Sequence, residues 1–258
     1  MWQVNWAEQW QYRANLLMYL LYWLVSPIVY LAVWTTVARG QGAVNGLTPN
    51  DFTTYYLTLL IVDNLTSQIT IHLLGYKIQD GTLSGDLLKP VHPILTNTLM
   101  NNLAFKALNF MALIPIWIVL YLLFQPDFST VTVQSLLLAV PAIVLGFAIN
   151  FLLGAIITCI AFWTTRVYAL NEFYTALAML LGGLFVPLDL LPALIQRIAQ
   201  FLPFQLLIYF PIQLALGRLA PEAIARNFGL GVVWLAIALL LFRLVWRAGA
   251  KRFSAVGA

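Results

Sequence analysis

The chain has 258 residues, of which 62% are hydrophobic and only 9% are charged. Soluble domains carry about 25% charged residues, so this chain could not cover its surface with polar groups in water. A lipid bilayer removes that need, and long apolar runs of helical length favour helices over an outer-membrane barrel. The net charge of +4 is small and spread over several loops, so no nucleic acid is expected as a partner. We therefore predict an all-α polytopic membrane protein that forms one domain over residues 1–258.

The first 14 residues carry tryptophans at every fourth position: Trp2, Trp6 and Trp10. This spacing predicts an interfacial helix that lies in the plane of the membrane. The alternative is that these tryptophans are aromatic anchors for the first span. A run of about twenty apolar residues follows without a small-residue cleavage site, so we expect an uncleaved first span and not a signal peptide.

The apolar runs predict six transmembrane helices. They cover residues 16–37, 52–76, 106–124, 133–163, 168–185 and 228–246. The fourth run has about thirty residues, more than the roughly twenty that cross a bilayer, so one end of it should project or lie along the surface.

Between the fifth and sixth runs, residues 187–217 are apolar but contain four prolines. The prolines are Pro187, Pro192, Pro203 and Pro211. Proline interrupts helical hydrogen bonding, and the pieces between these residues are too short to span. We predict a re-entrant or interfacial helical hairpin on the extracellular side.

The cations set the predicted orientation. With six spans and both termini in the cytoplasm, nine of the 13 Lys and Arg residues face the cytoplasm. If the hairpin were a seventh span, a basic C-terminal cluster would lie outside, against the usual excess of cations in cytoplasmic segments. The cytoplasmic set is Arg13, Lys77, Lys89, Lys106, Arg166, Arg243, Arg247, Lys251 and Arg252, and the outer set is Arg39, Arg197, Arg218 and Arg226.

Polar residues interrupt the second predicted span from Asp63 to His72. On a continuous helix, Asn64, Gln68 and His72 share one face, with Asp63 next to it. Such residues line a translocation path or hydrogen-bond neighbouring helices. A membrane-buried carboxylate is costly, which favours a functional role for Asp63.

Two further polar patterns occur, one before the third span and one within the fourth. The asparagines between Thr96 and Asn109, together with Lys106, recur every three or four residues and predict a solvated stripe at the cytosolic interface. In the fourth span, Gly146, Asn150 and Gly154 recur every four residues, which favours close helix packing.

No catalytic pattern is present in the sequence. It contains no nucleotide-binding P-loop and no zinc-binding motif, and its two histidines are twenty residues apart. A weak alternative is an intramembrane transferase that binds a metal through Asp80 and Asp86. The single cysteine, Cys159, is expected to be a buried apolar residue.

Three stretches resemble the membrane subunit of a bacterial ATP-binding-cassette exporter of the second (ABC-two, daunorubicin-exporter-like) permease class. They are IQDGTLSGDLLKPVHPI (78–94), GGLFVPLDLLP (182–192) and LPFQLLIYFPIQLALGR (202–218). The first is similar to a family signature of isoleucine, glycine, leucine and then Leu-Leu-Lys-Pro. The resemblance implies that residues 77–95 form a cytosolic coupling loop that docks on a separate ATPase subunit.

The resemblance also implies roles for residues in this loop. Gly81 and Gly85 would permit sharp turns and Pro90 would stop the helix. Apolar contacts would come from Leu83, Leu87 and Leu88, and peripheral charges from Asp80, Asp86 and Lys89.

The resemblance further implies two permease chains, identical or paralogous, with the cargo crossing between them. This chain would bind no cofactor of its own, because ATP and Mg would be bound by the partner ATPase. The hairpin would act as an extracellular gate, and cargo would be exported across the inner membrane of a bacterium. The alternative is a stand-alone transporter coupled to protons or sodium through Asp63.

Overall fold

The structure is a computed structural model that describes residues 13–253. Within this range, all the secondary-structure elements are helices and none is a β-strand. The predicted interfacial helix over 1–14 falls outside the described residues except for its last two. The α-helices are α1 (Arg13–Gln41), α2 (Pro49–Thr66), α3 (Tyr76–Gln79), α4 (Leu83–Leu87), α5 (Met100–Phe124), α6 (Val133–Cys159), α7 (Val167–Gly182), α8 (Ala193–Ala199), α9 (Tyr209–Ala215) and α10 (Pro221–Arg252).

Short π-helical and 3₁₀ segments extend several of these helices. The π-helical segments Ile71–Gly75 and Ile94–Leu99 precede α3 and α5, and the 3₁₀ segment Ile160–Phe162 follows α6. The other 3₁₀ segments are Leu188–Leu190 and Pro203–Leu206.

Four helical stretches in the described residues are long and apolar enough to cross a membrane. They are Pro49–Gln79, Ile94–Phe124, Val133–Phe162 and Pro221–Arg252. The pair Ala193–Ala199 and Pro203–Ala215 would make a fifth if it were one span, but it bends by 73° at the intervening turn. The helix Val167–Gly182 is apolar but only 16 residues long. The class of all-α membrane protein is confirmed, whereas the number of six spans and the re-entrant hairpin stay predictions. The name hairpin is kept below for residues 187–217.

Side-chain caps begin two of the long helices. Thr48 and Asp51 form a reciprocal capping box at the start of α2, and Thr132 and Ser135 form one at the start of α6. Each box satisfies backbone N–H groups that the first helical turn leaves without partners. The ends of these helices are therefore set by local sequence.

The bundle has two distinct ends. At one, the hairpin end, Arg218 forms a salt bridge with Asp51 at 2.6 Å and Asn45 donates a hydrogen bond to the Asp189 carbonyl. At the other, the coupling-loop end, His92 packs on Trp246. The four cations predicted to face outward lie in elements of the hairpin end, and the others lie towards the coupling-loop end, except for Lys106.

The central helix α6 packs against α10, α9 and α2. Gly146 permits one of these contacts, because a Cβ there would lie 2.7 Å from the carbonyl oxygen of Leu206 in the hairpin. Gly154 permits another, because its missing side chain leaves room for that of Gln68. The prediction of close packing at these glycines is confirmed.

The segment 187–217 is divided into short helices, as its prolines predicted, and α9 is almost wholly buried. It is fixed to α2 through the turn after α7. Gly183 has a φ of +92°, and Tyr55 donates a hydrogen bond to its carbonyl at 2.7 Å. The neighbouring Tyr56 donates to the carbonyl of Phe185. The hairpin and the first half of the second span are therefore tied together.

Candidate functional site

A cavity of about 280 Å³ lies between α1, α2, α6 and α7. Pockets that hold drug-sized ligands begin at about 300 Å³, so this cavity has room for several waters or a small chemical group. Its polar lining comprises Ser26, Asp63, Ser67, Gln68, Asn150, Tyr174 and Thr175, and its apolar lining comprises Pro27, Ala178, Met179, Leu184, Leu207 and Ile208. Such a mixed lining suits an amphiphilic group.

Asp63 is the acidic residue in this lining, and its side chain is only 8% exposed. No residue in the described part of the chain donates a hydrogen bond to its carboxylate. It interacts electrostatically with Lys106, without a salt bridge between them. A buried carboxylate in this state needs either a charge partner nearby or a ligand.

The second span is not one continuous helix, contrary to expectation. α2 ends at Thr66, Ser67 has an extended backbone (φ −59°, ψ 165°), and helical backbone resumes at Thr70. Helices in membranes are interrupted only where other groups satisfy the freed backbone. The polar residues of this stretch therefore mark a break in the helix, which their regular spacing does not indicate.

Side chains from other spans satisfy the backbone at the break. Lys106 Nζ donates to the carbonyl of Asn64 at 2.9 Å and to Ser67 Oγ at 3.3 Å. Asn102 Oδ1 accepts from the N–H of Ile69 at 2.8 Å, and Asn150 Nδ2 donates to the carbonyl of Thr66 at 2.9 Å. Within the break itself, Gln68 Oε1 accepts from the N–H of Thr70 at 2.7 Å.

The prediction of a solvated stripe before the third span is wrong. Asn102, Lys106 and Asn109 are buried, with only 1% of Asn102 and 7% of Lys106 exposed. Helical backbone begins at Ile94, well before the predicted start at Lys106, and turns these side chains into the bundle. The sequence pattern is typical of an amphipathic surface helix, but in the structure the polar face of this helix packs against the broken second span. Lys106 therefore does not count among the cations in water.

The break separates the predicted path residues. Asp63 and Gln68 line the cavity, but Asn64 and His72 do not. The side-chain oxygen of Asn64 is buried and has no hydrogen-bond partner within residues 13–253, and His72 is exposed beside Tyr168. A single helical face through these residues does not exist, because the helix stops before Gln68.

Four polar residues of the cavity lining lie outside the polar stretch that was predicted to line a path: Ser26, Asn150, Tyr174 and Thr175. Tyr174 donates a hydrogen bond to Asn150 Oδ1 at 2.6 Å and so links α7 to α6. The signal for two of them is the polar stretch NEFYT (171–175) within an otherwise apolar helix.

The coupling loop contains a turn followed by the five-residue helix α4. Gly81 makes the turn with a φ of +80°, a conformation that favours glycine. Asp80 Oδ1 accepts hydrogen bonds from the hydroxyl and N–H of Thr82, which lower the pKa of Asp80. The most exposed leucine here is Leu88, at 89%, and Leu87 and Val91 beside it are also exposed.

Three details of the loop differ from the predicted roles. Gly85 lies inside α4 and makes no turn, and Leu83 is fully buried, so it cannot belong to an exposed contact face. Asp86 is also buried, where Lys77 and Lys89 each bind its carboxylate at 2.7 Å. Asp86 therefore braces the loop internally and is not a peripheral charge. The apolar surface is provided by Leu87 and Leu88.

His92 joins the loop to the last helix. Its ring lies 4.5 Å from that of Trp246, and its Nδ1 accepts a hydrogen bond from the N–H of Ile94. Burial lowers the pKa of His92. A lowered pKa means that protonation opposes folding, so stability is full above the unfolded value of about 6.5 and is lost as the pH falls below it.

We therefore expect the wild-type thermal midpoint to fall below about pH 6.5 more steeply than that of a His92→Phe variant. Phenylalanine keeps a ring against Trp246 but does not titrate. Midpoints measured in detergent from pH 7.5 to 5 test this, and parallel curves for the two proteins would show that His92 is not the responsible group.

No group of three or more metal-binding side chains occurs among residues 13–253. Asp86, one of the two aspartates considered for a metal, is bound by two ammonium groups, and Asp80 is bound by Thr82. The geometry of the loop thus favours a surface for contact with another molecule.

Comparison with known proteins identified one matching family model. Residues 24–257 match the model described as "ABC-2 family transporter protein". Searches of curated proteins and of solved structures gave no significant match. The family match includes the broken span, the coupling loop and the hairpin.

Proposed function

Because this chain belongs to the ABC-2 family of transporter proteins, we propose that it is the permease subunit of an ATP-driven exporter. As a member of that family, it is a membrane protein that takes part in transport. The proposal adds that separate ATPase subunits bind ATP and Mg, and that their cycle drives cargo outward through this subunit. The chain itself would bind no cofactor and catalyse no reaction.

The observation that carries this proposal is the exposed leucine pair at the coupling-loop end. Leu88 projects almost entirely from the loop, which is braced from behind by the Lys77–Asp86–Lys89 cluster. An exposed apolar side chain on a rigid, water-facing element is typical of a surface that binds a partner. The partner we propose is the ATPase subunit, with Asp80, Lys89 and Pro90 at the edge of the contact.

The distribution of cations supports a cytoplasmic position for the coupling loop. Lys77, Lys89 and Arg166 lie near it, and the C-terminal turn of α10 adds further cations. Membrane proteins carry an excess of Lys and Arg in cytoplasmic segments. We propose the inner membrane of a bacterium, with both termini in the cytoplasm and the hairpin on the outer side.

The proposed translocation path runs past the cavity, along Asp63 and Gln68 with Asn150 and Tyr174. The cavity of one chain is small for a path, and the helices α1 and α7 that border it carry exposed apolar residues such as Val25 and Phe173. This arrangement supports pairing with a second permease chain, identical or paralogous, so that the path forms between the two.

The experiment is purification from the native membrane followed by reconstitution into lipid vesicles. We expect an ATPase subunit to co-purify with the chain, and vesicles that contain both to move cargo only with ATP and Mg. Transport by the chain in vesicles that hold no ATPase would refute the proposal.

The second candidate is an ion-coupled transporter that uses Asp63. It is favoured by the position of this carboxylate in the cavity, where no residue of the described part of the chain donates a hydrogen bond to it. Vesicles with an imposed proton or sodium gradient distinguish the two: gradient-driven transport that an Asp63→Asn variant loses would support ion coupling.

A further inference from the structure

The break in the second span separates two parts with different attachments. The part before it, α2, is bound to the hairpin end through Tyr55, Tyr56 and the Asp51–Arg218 salt bridge. The part after it leads through the π-helical segment and α3 into the coupling loop, where Lys77 binds Asp86. Between these two attachments, the helical backbone of the second span is interrupted at residues 67–69.

The contacts that close the break are polar and come from side chains. In a continuous helix, backbone hydrogen bonds would resist bending at this point. Here the carbonyl of Asn64 accepts from Lys106 and from Ser67 Oγ. The carbonyl of Thr66 accepts from Asn150, and the N–H of Ile69 donates to Asn102. Such bonds can be exchanged for others in a wet cavity at small net cost, about 0.5–1.5 kcal/mol each.

Among these partners, Lys106 differs because it is charged. Burying an ammonium group costs several kcal/mol unless it is compensated. Asn102 and Asn150 show that neutral amides suffice to satisfy backbone groups at this break, so a structural cap alone does not require a lysine. What the charge adds is an interaction with Asp63, which lies in the turn of α2 before Ser67 and faces the cavity.

Lys106 therefore has two possible sets of partners, since it also interacts electrostatically with Asp63. In this structure it binds the Asn64 carbonyl and Ser67 Oγ, with its ammonium 4.9 Å from the ring centre of Phe147. The alternative partner is the Asp63 carboxylate, which accepts no hydrogen bond from any described residue. Asn64 and Asp63 are neighbours in α2, whereas Ser67 lies in the break. A displacement of the segment after the break would therefore remove Ser67 Oγ from Lys106 and favour a shift of the ammonium group from the Asn64 carbonyl to the Asp63 carboxylate. Two discrete arrangements of this kind are what a switching element requires.

We infer that residues 67–69 are a hinge in the second span and that Lys106 is a positioning residue that holds it closed. Movement of the coupling loop opens the hinge, Lys106 transfers from the break to Asp63, and the lining of the cavity changes. This inference rests on the proposed function, because it supplies the route from the ATPase contact to the path.

The test uses the reconstituted complex of the full chain with its ATPase, and the readout is cargo transported per ATP hydrolysed. Lys106→Met retains the side-chain length without the charge and should lower this ratio at least tenfold, whereas Lys106→Arg should recover much of it. Because Lys106→Met leaves Asp63 buried without its charge partner, this variant could be unstable.

The double variant Lys106→Met/Asp63→Asn removes both charges and should be stable, yet still have the low ratio. Asn109→Leu is the matched control, since Asn109 is buried on the same helix and its side-chain oxygen has no hydrogen-bond partner among the described residues, the break included. Its ratio should equal that of the wild type.

A second measurement follows the hinge directly. With Cys159 replaced by alanine, spin labels at the exposed residues Tyr76 and Leu137 report the distance between the segment after the break and α6. We expect ATP to change this distance in the otherwise unsubstituted chain and not in the double variant.

Equal ratios and equal distance changes in the double variant and the wild type would overturn the role of Lys106. A distance that ATP leaves unchanged in the otherwise unsubstituted chain would overturn the hinge. Failure of the unsubstituted chain to bind an ATPase would instead refute the proposed function, so these outcomes are distinguishable.

Discussion

A Leu88→Ser variant is expected to bind its ATPase subunit about thirty-fold more weakly than the wild type. Leu88 is 89% exposed in the chain alone, and burying a leucine side chain in an interface contributes roughly 2 kcal/mol, which corresponds to this factor in affinity. Titration of the purified permease in detergent with the purified ATPase measures the effect. Transport in vesicles should fall in parallel, because fewer permeases carry the ATPase.

The matched control for this prediction is Leu194→Ser. Leu194 is also a largely exposed leucine, but it lies in α8 at the hairpin end. ATPase affinity should not change in this variant. Equal affinity of the Leu88→Ser variant and the wild type would exclude Leu88 from the docking surface.

A Gly146→Ala variant is expected to lose about 1–3 kcal/mol of stability, the usual cost of overpacking a close-packed site. The added Cβ would lie 2.7 Å from the carbonyl oxygen of Leu206 and 3.3 Å from that of Leu207. Both atoms belong to the backbone, so the hairpin itself would have to move away from α6. Thermal unfolding in detergent should show a lower midpoint.

For Gly229→Ala we expect the opposite effect on the stability of the protein, measured in the same way. Gly229 lies in α10, is exposed, and has no atom within 4 Å of the position that a Cβ would occupy. Alanine favours helix over glycine by roughly 0.5–1 kcal/mol, so this variant should be as stable as the wild type or more so. A similar loss of stability in both variants would show that helix propensity, and not contact with the hairpin, sets the result at Gly146.

Several features of the fold could be predicted because their causes are local. The four prolines between 187 and 217 predicted short helices there, and the helices observed in that segment are no longer than seven residues. The turn at Gly81 is another such feature, since its positive φ is a property of glycine itself. The exposure of Leu87 and Leu88 also followed from the resemblance and is present in the structure.

Other features depend on residues that are distant in the chain. The break after Thr66 is satisfied by residues 33 to 84 positions away, and no periodicity within the second span reveals those partners. The same is true of Asp86, which has the sequence context of a surface charge but is buried by salt bridges with Lys77 and Lys89. Neither the helix break nor the buried charges can be inferred without the partners that offset their cost.

Composition alone determined that this protein belongs in a bilayer, since 62% hydrophobic residues cannot be covered in water, and its prolines and glycines determined where several helices end. Only the tertiary structure decided that Lys106 and Asn102 turn inward. A residue type indicates how much its burial costs, but the groups that offset this cost lie far away in the chain. The candidate site lies where that compensation occurs, at the break between Thr66 and Thr70.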